Sequence, residues 1–301
     1  MSRRKKGNKV DGWVVLDKPV GLGSTPAVSR VRRLFGAEKA GHGGTLDPLA
    51  SGVLPIALGE ATKTVPFVMA GSKEYRFTLC FGEARSTDDA EGEVTDSSAV
   101  RPGDEAIRTV LARFTGDVEQ TPPVFSALKV EGRRAYDLAR AGEPVDLKPR
   151  RVRIERLVMV DRTDSEHADF VVLCGKGTYI RSLGRDLARA LGTVGYLSAL
   201  RRTAAGPFRE EAAISLSKLE ALGHIPALFG ALAPVATALD DIPALALTET
   251  QADRLRLGQP VRLTREAPPS GALVRAEAGS KLIALARWDG VALQPVRVFN
   301  L

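Results

Sequence analysis

The chain has 301 residues, with 43 Lys and Arg against 36 Asp and Glu for a net charge of +7. A hydrophobic share of 44% and a charged share of 26% suit a globular chain and exclude a collagen-like, wholly disordered or disulfide-scaffold protein. No apolar run approaches the roughly 18 residues of a membrane helix, and the start Met1-Ser2-Arg3-Arg4-Lys5-Lys6 lacks the apolar core of a secretory signal. The length suggests one large domain or two unequal ones. Two distant cysteines, Cys80 and Cys174, fit a reducing cytoplasm, and with three histidines they leave little material for a metal site.

Residues 1–10 hold no acid and carry five of the seven net positives, on Arg3, Arg4, Lys5, Lys6 and Lys9. They read as a flexible basic arm, a feature shared by nucleic-acid binders and plain solvated tails. Gly12 to Leu16 is a short apolar strand leaving into a turn at Asp17-Lys18-Pro19. Thr25-Pro26 opens a helix, with Thr25 as the cap and an apolar stripe of Val28, Val31, Leu34 and Phe35. A glycine-rich loop spans 36–52. Residues 53–58 follow as a strand with an edge or irregular start, because Pro55 donates no ladder bond.

Tyr75, Phe77, Leu79 and Phe81 alternate with polar neighbours as a half-buried strand does. Residues 83–105 carry eight acids and two arginines, the mark of a solvated acidic loop before a helix at 104–114. Val124 to Val130 reads as a strand, Glu131-Gly132 as a turn and Arg133 to Ala141 as a helix, with strands near 151–161 and 168–174. Gly175-Lys176-Gly177-Thr178 introduces a helix with Ile180, Leu183, Leu187 and Leu191 on one face. Residues 176–202 form the densest positive stretch outside the arm, six basic residues against Asp186.

Ala and Pro crowd residues 231–243, where a domain boundary is expected. Beyond it come a capping box at Thr248 and Gln251, a helix stop at Gly258 and a hairpin turned at Asp289-Gly290. The reading is a basic tail over 1–10, a main α/β domain of α+β character with a mixed sheet over 11–238, and a small β-rich domain over 239–301.

The run Gly41 to Gly52 contains one acid and one histidine. It is neither a phosphate-binding P-loop nor a dinucleotide fingerprint. On composition and spacing alone, Asp47 reads equally as a turn former before Pro48 and as a functional carboxylate. Tyr75 alone reads as a core aromatic, Arg181 as a phosphate contact near a helix start, and His42 as a loop histidine.

Residues 41–54 resemble the catalytic motif of the TruB family of tRNA pseudouridine synthases, and Leu16-Asp17-Lys18-Pro19-x-Gly21 resembles its first motif. Gly59 to Lys63, Ser126 to Lys129, Gly175 to Arg181 and Leu200 to Thr203 are similar to further blocks in the same order, so the resemblance covers about residues 12–215. Leu22-Gly23 and Arg85 depart from the usual pattern outside the catalytic block. The resemblance implies a pseudouridine-synthase catalytic domain with a PUA-like RNA-binding C-terminal domain. It also implies isomerisation of uridine 55 in the tRNA T-arm, with the base flipped out of its stack and no cofactor or metal.

By the same resemblance Asp47 is the catalytic carboxylate, Tyr75 stacks on the uracil or relays a proton, and Arg181 pairs with Asp47 through a bidentate bond. His42 props the flipped nucleotides, Leu200 lines the pocket floor, and Lys18, Lys63, Lys176, Tyr179, Arg201 and Arg202 contact RNA backbone or form pocket walls. The implied partner is tRNA, met by a cytoplasmic monomer with no obligatory protein partner. Two other readings stand beside this one: a non-catalytic tRNA-binding protein or RNA-folding chaperone, and an isomerase acting on ribosomal or small nuclear RNA.

Overall fold

The computed structural model describes residues 7–126, 128–130, 132–223, 225–263 and 267–301. Arg3, Arg4, Lys5 and Lys6 of the basic arm, together with Ala127 and Glu131, lie outside the described residues. Residues 7–9 are exposed but tied down by the Asn8 amide, which donates to Gly36 at 2.6 Å, and Val10 is buried.

A large mixed sheet organises residues 12–215. Its main path runs Ile214–Ser215, Gly12–Lys18, Ser51–Leu58, Gly195–Ala205, Lys73–Phe81, His167–Cys174, Arg150–Arg162, Gly116–Gln120. All neighbours on that path are antiparallel except two. Ile214–Ser215 runs parallel to Gly12–Lys18, and Gly195–Ala205 runs parallel to Ser51–Leu58, where Arg201 and Arg202 face Ser51 and Gly52. That second parallel junction lies at the middle of the sheet. One apolar cluster, with Phe77, Phe170, Leu183 and Leu187, sits under the half beyond it, and another, with Leu16, Val31, Phe35 and Leu54, under the half before it. Tyr75 and Leu200 touch both clusters, so the seam between the two cores passes through them.

Several local expectations are corrected. The first helix spans Ser24–Leu34 with Gly23 at its N-cap, so Thr25 lies inside it. Ser24 is instead tied to the glycine-rich loop: its hydroxyl donates to the Leu46 carbonyl and accepts from the Leu46 amide, both at 2.8 Å. The Pro55 strand is central rather than peripheral. Pro55 falls where the neighbour on one side changes from Gly195–Ala205 to the short strand Ala40–His42, and its carbonyl accepts from the Gly43 amide at 2.8 Å. A missing donor costs little at such a changeover.

The acidic loop contains a hairpin, Glu83–Arg85 with Val94–Ser97, and between them Asp89 is buried. The helix expected at 104–114 is α-helical over Asp104–Leu111 and closes in a 3₁₀ turn. Of the strand expected at 124–130, only Lys129–Val130 pairs, in a tiny hairpin before the helix Ala135–Arg140.

The C-terminal unit is a four-stranded sheet, Ala244–Ala246, Leu273–Ala278, Lys281–Trp288 and Leu293–Val298, with the helix Glu249–Arg256 opened by the expected Thr248–Gln251 capping box. It has its own core around Ile283, Ala286 and Leu293. A shared cluster joins it to the main domain, where Leu282, Leu285 and Phe299 pack with Trp13, Val68 and Phe208. Among the described residues no helix is long and apolar enough to cross a membrane.

Candidate active site

The loop between the strands Ala40–His42 and Ser51–Leu58 carries Asp47, and its neighbours hold it from both sides. Leu46 is buried and doubly bonded to Ser24. The Pro48 carbonyl accepts from the Gly21 amide at 2.8 Å and from Lys18 Nζ at 3.3 Å, and the Ala50 amide closes a turn onto the Asp47 carbonyl at 3.1 Å. The loop leaves through Gly52 at φ +97°, where a Cβ would stand 2.2 Å from the Arg202 carbonyl oxygen, so only glycine fits. The Asp47 side chain remains 38% exposed, opening into a cavity of about 770 Å³.

Arg181 reaches Asp47 from the first turn of the helix Ile180–Ala190. Its Nε donates to Oδ2 at 3.0 Å and its Nη2 lies 2.8 Å from the same oxygen, so the ion pair is made at one carboxylate oxygen rather than bridging both. The guanidinium is 5% exposed and fully engaged: Nη1 donates to the Thr87 carbonyl and Nη2 to that of Phe125, each at 2.9 Å, and Nε lies 3.5 Å from the buried carboxylate of Asp89. Among the described residues no protein donor reaches Asp47 Oδ1. Asp47 lines the cavity, and Oδ1 is an uncommitted acceptor among the described residues.

Tyr75 and Leu200 line the cavity at the seam of the two cores, and Tyr179 and Ile180 line it as well. Burial pushes the Tyr75 phenol above its ordinary value of 10, a shift partly opposed by the hydrogen-bonded Arg202 guanidinium. A phenol shifted that way stays protonated at neutral pH.

The remaining expected residues divide sharply. Arg202 lines the cavity but is 1% exposed, donating from Nε to Val53 at 2.7 Å and from Nη2 to Gly44 at 3.0 Å. It binds the glycine loop to the central strand and is not free for phosphate. Lys18 is fully buried, its ammonium shared among the carbonyls of Leu22, Pro19 and Pro48, and desolvation lowers it from 10.5 to about 8. Arg201 is committed to Asp17 at 2.9 Å and Glu210 at 2.9 Å.

Lys63 lies away from the cavity, bonding Glu60 at 2.6 Å and the Val298 carbonyl at 2.8 Å where the C-terminal unit docks. His42 sits in the strand pair with Ile56, outside the cavity lining. Its buried Nδ1 has no hydrogen-bond partner, and burial reinforced by Arg202 lowers its pKa, which keeps the ring neutral at pH 7. Lys176 is exposed at the cavity mouth.

Sequence reasoning missed four contributors. Arg150 and Arg151 join Lys176 at the mouth, and Arg150 lies 4.9 Å over the Tyr179 ring. Lys73 caps the helix Val65–Ala70 with bonds to the Met69 and Gly71 carbonyls, each 2.6 Å, and is lowered to about 8 chiefly by desolvation. Asp89 braces Arg181. The six cationic side chains lining the cavity, set against the single carboxylate of Asp47, make it a site for an anionic ligand. Among the described residues no group of three or more His, Cys, Asp and Glu is arranged to hold a metal ion.

The chain is also similar to known proteins. The family model described as TruB family pseudouridylate synthase, N-terminal domain, matches residues 32–180, and that of the tRNA pseudouridylate synthase B C-terminal domain matches 181–240. The tRNA pseudouridine synthase B of Bradyrhizobium diazoefficiens is 56% identical, over all of this chain and 91% of its own length. That of Rhodospirillum rubrum is 53% identical over the whole of both chains. Among solved structures, a Cbf5-Nop10-Gar1 complex contains a chain that aligns with a TM-score of 0.74 at 28% identity, covering 96% of this chain and 85% of that one. An H/ACA RNP bound to a substrate RNA containing 2'-deoxyuridine aligns at 0.73 and 26%, with the same coverage. The chain belongs to the TruB family of pseudouridylate synthases.

Proposed function

We propose that this pseudouridine synthase acts on tRNA and converts uridine 55 of the T-arm to pseudouridine. The carrying observation is Asp47, held through Oδ2 by a buried Arg181, with Oδ1 free of protein donors among the described residues, in a cationic cavity also lined by Tyr75 and Leu200. The names of the full-length relatives support tRNA as the substrate.

In this reaction the bond from C1′ to N1 breaks, the uracil turns, and C5 bonds to C1′. The C5 proton is released, N1 ends protonated, and no oxidant or water is consumed. A carboxylate serves by attack on the sugar, by attack on the base or by taking a proton from the sugar, and every route needs an oxygen outside the ion pair. A uridine within a folded loop reaches Asp47 only by leaving its stack, at a cost of a few kcal/mol. Tyr75 and Leu200 recover part of that cost by covering the base. Arg150, Arg151 and Lys176 at the mouth hold flanking phosphates. The C-terminal sheet adds RNA contact, and the enzyme works as a monomer without a protein partner.

The test is tritium release from a T-arm stem-loop labelled at C5 of uridine 55 only, with Asp47→Asn alongside wild type. Release by wild type alone supports the assignment. Tight binding without release from either protein would favour a non-catalytic RNA binder.

A further inference from the structure

Asp88 is the one non-glycine residue with positive φ among the described residues, at +60°. Glycine adopts that conformation without strain, so an aspartate kept there points to a use for its side chain. Its carboxylate lies 2.9 Å from Arg185 Nη1, with the two side chains 16% and 15% exposed. Burial raises the acid above its ordinary value, and Arg185, Arg181 and Arg189 all oppose that shift.

Arg185 is one helical turn beyond Arg181 on the same helix, so both guanidinium groups face one loop. Three successive loop residues use them in alternation: the Thr87 carbonyl meets Arg181, the Asp88 carboxylate meets Arg185, and the Asp89 carboxylate returns to Arg181. The left-handed turn at Asp88 allows residues 87 and 89 to converge on one guanidinium. Arg185 is itself fixed, by Asp186 at 2.9 Å and the Thr121 carbonyl at 3.0 Å. The loop's far side is held by Leu197, whose amide donates to the Asp88 carbonyl and whose carbonyl accepts from the Ala90 amide, both at 3.1 Å.

We infer that Asp88 and Arg185 are positioning residues: their ion pair holds the loop so that Thr87 and Asp89 fix the orientation in which Arg181 grips a single oxygen of Asp47. This rests on the reading of Asp47 and Arg181 as the reacting pair. Neither Asp88 nor Arg185 lines the cavity, so their loss leaves the RNA surface intact.

The experiment compares wild type with Asp88→Gly, Arg185→Gln and the double variant, using a tRNA transcript tritiated at C5 of its uridines. Single-turnover release, RNA affinity and Tm are all measured. Each single variant is expected to slow release about tenfold, the loss expected of a slightly misplaced reacting group, with affinity and Tm retained. The double variant is then no slower than the worse single one, because the two side chains act as a unit. Asp88→Asn, which tolerates the turn and still accepts from Arg185, falls between.

Wild-type release from Asp88→Gly would overturn the inference, as would a joint fall in rate, affinity and Tm. Were wild type itself inactive, the reading of the reacting pair would fail. Hydrogen exchange at the Ala90 amide would still decide the role of the ion pair, faster exchange in Asp88→Gly supporting it and unchanged exchange refuting it.

Discussion

Arg181 and Asp47 meet at one carboxylate oxygen: Nε donates to Oδ2, Nη2 lies 2.8 Å from the same atom, and Oδ1 has no protein donor among the described residues. A guanidinium bridging both oxygens would neutralise the carboxylate more fully and remove the free acceptor. The one-oxygen grip follows from the other claims on Arg181, since the Thr87 and Phe125 carbonyls and Asp89 fix its plane before Asp47 is considered.

Arg181→Lys is therefore expected to fail although it keeps the charge. One ammonium cannot meet four acceptors spread around a planar fork. Turnover should fall by about a hundredfold, with RNA affinity little changed, in single-turnover assays. Arg181→Leu should in addition cost about 3 kcal/mol in denaturant unfolding, because it leaves Asp89 buried without its cation.

Lys18 and Lys73 give the protein a defined alkaline response. Both are lowered from 10.5 to about 8, so between those values the unfolded chain holds protons that the folded chain does not. Stability contributed by these groups is present above 10.5 and is lost as pH falls toward 8, so across that window they make stability rise with pH. Removing one contributor in Lys18→Met should reduce the slope of Tm against pH from about 8 upward. An unchanged slope would mean that Lys18 does not titrate in this range.

Arg151 and Lys176 are exposed at the cavity mouth with no committed partner among the described residues, unlike Arg201, paired with carboxylates, and Arg202, bonded to backbone carbonyls. Arg151→Ala and Lys176→Ala should each weaken tRNA binding and lower the salt slope of log K by about one. Arg201→Ala should act through the Asp17 and Glu210 pairs, as a stability loss with the salt slope unchanged. A salt titration of each variant separates the two classes.

The C-terminal sheet is fastened near the active site through Phe299, which is buried against the main domain beside Lys63. Val68 in the same cluster belongs to the helix Val65–Ala70, whose Pro66, Met69 and Ala70 line the cavity. Phe299→Ala should cost about 3 kcal/mol, the usual penalty for emptying an aromatic core site. Denaturant unfolding reads that loss directly.

Much of the fold was legible in local sequence. The alternation at Tyr75 to Phe81, the apolar face of Ile180, Leu183 and Leu187, and the Thr248–Gln251 capping box each depend on neighbours a few residues away, and each forms where its pattern stands. The strand Gly195–Ala205 went unread, because bulges after Leu197 and Arg202 break its alternation and hide it beneath a run of arginines. Motif resemblance singled out Asp47, Tyr75 and Arg181, but not what Arg181 would do with its remaining nitrogens.

Charge was the least legible property. Asp89, Lys18, Arg201 and Arg202 look like solvated or RNA-facing groups in one dimension, yet each is paired or buried by partners far away in the chain. Arg150 and Arg151, which have no motif, become cavity residues only because their strand starts beside the turn 175–178. Side-chain type and spacing specify a helix or strand through short-range sterics and hydrogen bonds. Whether a cation meets water, a carbonyl or a carboxylate depends on contacts between residues as much as 235 positions apart, which only the folded chain brings together.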